Sequence, residues 1–438
     1  MTAAVIGISA QAQTADKKAV MSTSQSQTME MNIKGLKVIF KPSAKQTVSA
    51  VMFFKGGTGN YNASQQGIEN LALAATTECG TKKYDKDAFK DIADEYGVDL
   101  GGAASYDFGT ISMSCVKPYF SKGWDLFADA VLAPVFDAKE LGMLQQKLSS
   151  GLKQQEGNPD AKLREMAMSN TFANTRYAYP PSGTPESVLK FTQADVSNYY
   201  NKTLLNRDRM VLVVVGNLNP EELKASIEKS FGNIHQSAVA PFKGPEALQI
   251  SGNTLNTEDR KLATNYIMGM MGAPEVSAPN FNAYRLGMDI LGDKLFEEVR
   301  TKRNLSYAPA AYSTSGLHPY SVMYVTTTKP KEAVTVMVDE VIRLKNNGFT
   351  ATDLRDAKNQ FATSYFMKNE SNNASALALG MAEIKGSWKN EENFLEKINA
   401  VTLPEMQSTF NKYADGIKWS YLGDINQADK AAFEKKTK

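Results

Sequence analysis

Only two cysteines, Cys79 and Cys115, and two histidines, His235 and His318, occur in 438 residues. Two thiols cannot build a disulfide framework or a four-cysteine metal site. Both sit among apolar neighbours, so buried free thiols are expected, with one bridge between them as the alternative in an oxidising compartment. His235 lies near a polar connecting stretch and His318 in a hairpin turn, which argues against a Ser-His-Asp arrangement. An excess of either charge is also missing. With 49 basic and 47 acidic residues the net charge is +2, which argues against nucleic acid or an anionic membrane as the main partner. No run approaches the roughly 18 apolar residues that span a bilayer, so no membrane insertion is expected. Gly56-Gly57-Thr58-Gly59 is followed by no Gly-Lys-Ser/Thr and is no phosphate loop, and no Gly-x-Ser-x-Gly elbow occurs.

What is present is ordinary globular material, 42% hydrophobic and 22% charged, in a length that favours more than one domain. Thr2 to Ala12 is small and apolar, ends in Ala10-Gln11-Ala12 and runs into a polar stretch to Gln27. It resembles the second half of a secretory signal peptide, so a periplasmic or secreted protein is expected. From residue 28 onward, alternating or continuous apolar strands (Ile33 to Lys41, Thr47 to Phe54, Asp99 to Tyr106, Thr110 to Val116) are interleaved with amphipathic helices (Gln66 to Glu78, Ala138 to Gln155, Ala161 to Phe172). Met210 to Val215 reads as a fully buried strand, and Pro220 to Phe231 as the helix that closes the first half.

A second half repeats this order. Leu262 to Met271, Tyr307 to Thr314, Tyr320 to Thr328 and Trp419 to Gly423 read as strands. Helices are predicted over Asn280 to Leu291, Leu295 to Lys302, Lys331 to Asn346, Ala351 to Lys368 and Ala374 to Ile384. "VVVGNLNPEELKASIEKSF" and "WSYLGDINQADKAAFEKK" close the two halves in equivalent places, which indicates tandem duplication. The expected fold is α+β, two similar domains, each a mainly antiparallel sheet backed by helices. The expected boundaries are a leader and tail at 1–27, domains at 28–235 and 261–438, and a linker at 236–260.

Three segments carry a resemblance. "GGTGNYNASQQGIENLALAATTECGT" (Gly56 to Thr81) is similar to the zinc-binding segment of the pitrilysin/insulinase-like metallopeptidases. There a helix bears an inverted His-x-x-Glu-His motif, two histidines ligating zinc and a glutamate activating water. Registered on Gly67-Ile68, the three positions fall on Asn70, Leu73 and Ala74, none of which can do that work. Glu69 and Asn70 read as polar residues of a helix start. The family's third ligand, a glutamate on a later helix, falls near Ser150 or Gly151. The nearest acid, Glu156, reads as a solvated helix end.

"LGDKLFEEVRTKRNLSYAPAAY" (Leu291 to Tyr312) resembles the family's second-half signature, whose Arg and Tyr correspond to Arg300 and Tyr307. By composition alone, "EEVRTKR" reads as an exposed, charge-paired helix and Tyr307 as an ordinary strand aromatic. In the family this pair reaches across a clamshell to the zinc site of the opposite half, positioning substrate and stabilising the developing oxyanion. Glu186 to Gly232 resembles the family's first-half ending and is structural. The edge segment Gly101 to Asp107 (GGAASYD) lacks the Asn that active members carry there.

The resemblance therefore implies one half of a clamshell, with no metal or other cofactor bound by this chain. Its partners would be a homologous zinc-bearing peptidase subunit and a peptide substrate. The alternative is a peptide-binding or scaffold protein that keeps the fold and cleaves nothing.

Overall fold

Met210 to Val215 is apolar at every position, as a strand buried on both faces must be. The computed structural model describes residues 27–239 and 246–437. The apolar leader at 2–12, nearly all of the tail behind it and residues 240–245 of the linker lie outside the described residues. The first sheet comprises β1 (Met29–Ile33), β2 (Leu36–Pro42), β3 (Thr47–Lys55), β4 (Asp99–Ala104), β5 (Phe108–Val116) and β6 (Met210–Gly216), in the order β1-β2-β6-β3-β5-β4. The second comprises β7 (Thr254–Asp259), β8 (Asn265–Met271), β9 (Ala310–Ser313), β10 (Ser321–Thr327) and β11 (Lys418–Gly423), in the order β7-β11-β8-β10-β9. β2 runs parallel to β6, and β7 to β11; the other pairs are antiparallel. Without β1 the two orders correspond strand for strand. The duplication read from the chain endings is a duplication of topology.

Helices of the first half are α1 (Ile68–Glu78), α2 (Lys86–Glu95), α3 (Phe120–Leu132), α4 (Ala138–Glu156), α5 (Pro159–Thr171), α6 (Pro185–Leu189), α7 (Gln193–Tyr199) and α8 (Pro220–Phe231). Those of the second are α9 (Phe281–Leu295), α10 (Pro330–Asn347), α11 (Ala351–Lys368), α12 (Asn372–Ile384), α13 (Lys389–Glu392), α14 (Phe394–Ala400), α15 (Leu403–Tyr413) and α16 (Lys430–Phe433). Local chemistry fixes several starts. Asn219 accepts the Glu221 and Glu222 N–H groups at the start of α8, where Pro220 occupies a position that needs no donor.

Each sheet uses the two-residue period of its strands to face two cores. Met210, Leu212 and Val214 of β6 join β3 residues Val48, Ala50, Met52 and Phe54 in the core under the first half's own helices. Val211, Val213 and Val215 face the other way, with Val51 and Phe53, onto Ala376 and Leu379 of α12, a helix of the second half. The exchange is mutual. Leu163, Met166 and Ala167 of α5, from the first half, cover Met268 and Met270 of β8 and Leu422 of β11. Gly380 of α12 lies so close to Phe53 that a Cβ there would stand 2.0 Å from the ring. Because each half covers a face of the other's sheet, neither half closes its core alone.

The structure modifies several expectations. Part of the stretch read as linker, Thr254 to Asp259, is strand β7; it lies at a sheet edge and buries no residue fully, so its apolar alternation is faint. The two helices expected over 280–302 are one, α9, continued by a π-helical turn at Phe296–Thr301. Gly292 does not break it: a Cβ there would stand 2.7 Å from the Ala311 carbonyl oxygen, so the glycine serves the close approach of β9. Tyr307 does not open a strand; it precedes β9 in an irregular segment and is 78% exposed. Cys79 and Cys115 are buried and unbridged, and burial pushes their thiols up to about 12 and about 11.

Candidate functional site

The glycine loop after β3 leads into α1 through Gly67, whose φ of +90° and approach to Gly183 (2.8 Å from a Cβ to its Cα) admit only glycine comfortably. Asn70, Leu73 and Ala74 then fall on one face of α1, toward the edge strand β4. Asn70 Oδ1 accepts the backbone N–H of Ala104 at 3.0 Å. The Ser105 N–H pairs inward with Phe108, so by alternation the Ala104 group is on the outer edge of the sheet. Leu73 is fully buried. Its carbonyl lies against Gly102, where a Cβ would come within 2.0 Å, and its Cδ1 lies against Gly109. Ala74 is half-buried. Ser150, Gly151 and Glu156 are exposed on α4, Glu156 at its solvated end as expected. Among the described residues no three His, Cys, Asp or Glu side chains converge as a metal centre requires.

What stands beside the motif positions is a buried polar network that the sequence did not announce. Glu69, expected as a simple helix-start residue, is fully buried. Its Oε2 accepts from the Tyr199 hydroxyl at 2.6 Å and from Asn60 Nδ2 at 2.9 Å, while Oε1 has no partner. Arg209 donates to Asn60 Oδ1 at 2.5 Å. Burial outweighs these bonds and pushes the Glu69 carboxyl up to about 7. Asp107, at the turn of the edge hairpin, is buried and saturated. Its Oδ1 accepts from Arg176 at 3.0 Å and from the Tyr177 hydroxyl, and its Oδ2 accepts from the Leu317 N–H at 2.8 Å. Arg176 also donates to the carbonyls of Gly56 and Tyr106. This clasp ties the β9–β10 hairpin of the second half, with His318 packed on Phe172 and Tyr177, to the glycine loop of the first. Its only signal in the sequence was the break between the strands read at Asp99 to Tyr106 and Thr110 to Val116, where Asp107 stands.

Arg300 and Tyr307 are brought together with each other and not with α1. No hydrogen bond, ion pair or ring contact among the described residues joins them to Asn70, Leu73 or Ala74. The Arg300 guanidinium lies 4.1 Å from the Tyr307 ring centroid and 4.7 Å from that of Phe296. The neighbouring carboxylates are engaged elsewhere: Glu297 with Lys302 at 2.8 Å, Glu298 with Lys302 and with Arg303, both at 2.5 Å. The charge-paired helix read from "EEVRTKR" therefore exists, and Arg300 is the residue left out of it.

Two sequence profiles match consecutive parts of the chain, "Insulinase (Peptidase family M16)" over residues 37–184 and "Peptidase M16 inactive domain" over residues 190–361. The chain belongs to the M16 peptidase family. M16-type relatives include YmxG of Bacillus subtilis, an uncharacterized zinc protease, 23% identical over 334 residues, which are 74% of this chain and 80% of that protein. Cytochrome b-c1 complex subunit 1, mitochondrial, of Saccharomyces cerevisiae is 24% identical over 397 residues, 85% of this chain and 83% of that one. A crystal structure of a peptidase M16 inactive domain from Pseudomonas fluorescens shares the fold, with a TM-score of 0.81 at 21% identity, covering 91% of this chain and 98% of that chain. This M16 chain is thus a peptidase-like protein of the clamshell fold.

Proposed function

We propose that the chain is the non-catalytic subunit of a heterodimeric zinc peptidase of the M16 type. A homologous partner would carry the zinc and act on a peptide. This chain would contribute Arg300 and Tyr307 to the partner's site. The small, apolar stretch at 2–12, read as the second half of a signal peptide, supports a periplasmic or secreted location for this activity. The observation that carries the reading is the state of Arg300. Its side chain is stacked on aromatic rings, makes no ion pair or hydrogen bond among the described residues, and stands beside a tyrosine that is 78% exposed. A planar fork with free donors next to a phenol is suited to a developing oxyanion once a partner excludes water.

The test is co-expression with a zinc-bearing M16 homologue from the same genome. The pair should cleave an unstructured peptide, EDTA should abolish cleavage, and Arg300→Ala or Tyr307→Phe should lower kcat by about 10²-fold. Unchanged kcat in both variants rejects the proposal.

A second reading, a scaffold or peptide-binding protein without proteolysis, is favoured by the likeness to the yeast b-c1 complex subunit. Under it the pair forms but cleaves nothing.

A further inference from the structure

We infer that Phe296 is a positioning residue for Arg300, its ring packing on the guanidinium together with that of Tyr307. The inference rests on the proposed role of Arg300 and adds a residue to it. Phe296 opens the π-helical turn that continues α9 and Arg300 lies four residues later within it, so their side chains emerge together. The guanidinium lies over both rings, 4.7 Å from the Phe296 centroid and 4.1 Å from that of Tyr307.

Phe296 is 45% exposed, too open to be explained as core. Among the described residues no carboxylate pairs with the fork, and the adjacent Glu297 and Glu298 are held by Lys302 and Arg303. Stacking is therefore what limits the rotamers of a long, otherwise free side chain. A guanidinium stacked on both rings keeps its N–H donors at its rim, directed away from the rings. Without Phe296, Tyr307 alone would hold it, on a loop outside any strand. Binding would then have to order the arginine before it could donate, which weakens an interaction made at the transition state.

Two measurements test this, one on the isolated chain and one on the co-expressed pair. In the isolated chain with labelled arginine, the Arg300 Nε–Hε resonance should be shifted upfield by the flanking rings. It should move downfield in Phe296→Ala, with the melting temperature unchanged, and stay in place in Phe296→Tyr. In the pair, Phe296→Ala should lower kcat about 10-fold with KM little changed, and Phe296→Tyr should restore it. If Arg300→Ala lowers kcat while Phe296→Ala leaves kcat and the resonance unmoved, the positioning role is wrong and the proposed function stands. If Arg300→Ala is itself without effect, both fail.

Discussion

α1 on β4 and α9 on β9 occupy the same place in two copies of one topology. In both, a glycine permits helix and edge strand to approach, Gly102 under the Leu73 carbonyl and Gly292 against the Ala311 carbonyl. Beyond that they diverge. The first-half edge is sealed: Leu73 is buried, Asn70 occupies an edge N–H, and Glu69 and Asp107 anchor networks with Tyr199 and Arg176. At the corresponding end of the second half, α9 loosens into a π-helical turn, and Phe296 and Tyr307 stand exposed around the guanidinium of Arg300, which makes no hydrogen bond among the described residues. Side chains of the first region are buried or hydrogen-bonded, whereas Phe296 and Tyr307 of the second are exposed.

The contrast breaks most sharply at Leu73. Leu73→Glu, which would return a carboxylate to the motif, puts a charge into a core and is expected to lower unfolding stability by about 4 kcal/mol. Tyr307→Ala should change it by less than about 0.5 kcal/mol. Urea denaturation of the two variants distinguishes them, and comparable losses would remove the distinction.

Next in size is the pH dependence of Glu69. Its folded value of about 7 lies above the ordinary 4.5, so the folded state holds the proton more tightly than the unfolded chain. Stability is then greatest below pH 4.5 as far as this group is concerned, falls as pH rises through the interval to about 7, and is level above it. The full loss is roughly 3 kcal/mol. Glu69→Gln should flatten the stability profile between pH 5 and 8 relative to the native chain; a parallel profile would show that Glu69 is not the titrating group. The smallest effect is expected at Asn70. Asn70→Ala removes one hydrogen bond, costs about 1 kcal/mol, and should speed hydrogen exchange of the Ala104 amide while leaving distant amides unchanged.

Much of this architecture was legible because the sequence obeys simple periods. A strand apolar at every position, Met210 to Val215, had to be covered on both faces, and Asn219-Pro220 had to start a helix. The expectation that Asn70, Leu73 and Ala74 hold no metal rests on the register of the resemblance and on the lack of suitable donor atoms in these side chains. The remainder depends on long-range partners. Strand β7 is visible only through its pairing with β11, across more than half the second domain. Glu69 looks like a solvated helix-start acid until Tyr199, far along the chain, is placed over it. Phe296 lies in a stretch read only as helix, and only the π-helical turn shows it beside Arg300.

The most direct measurement is the zinc content of the purified, dialysed chain, together with its action on an unstructured peptide in the absence of a partner. No stoichiometric zinc and no cleavage are expected, since α1 offers an amide and two hydrocarbon side chains where ligands would stand. One tightly held zinc ion per chain, with peptide hydrolysis that EDTA abolishes, would contradict that expectation outright.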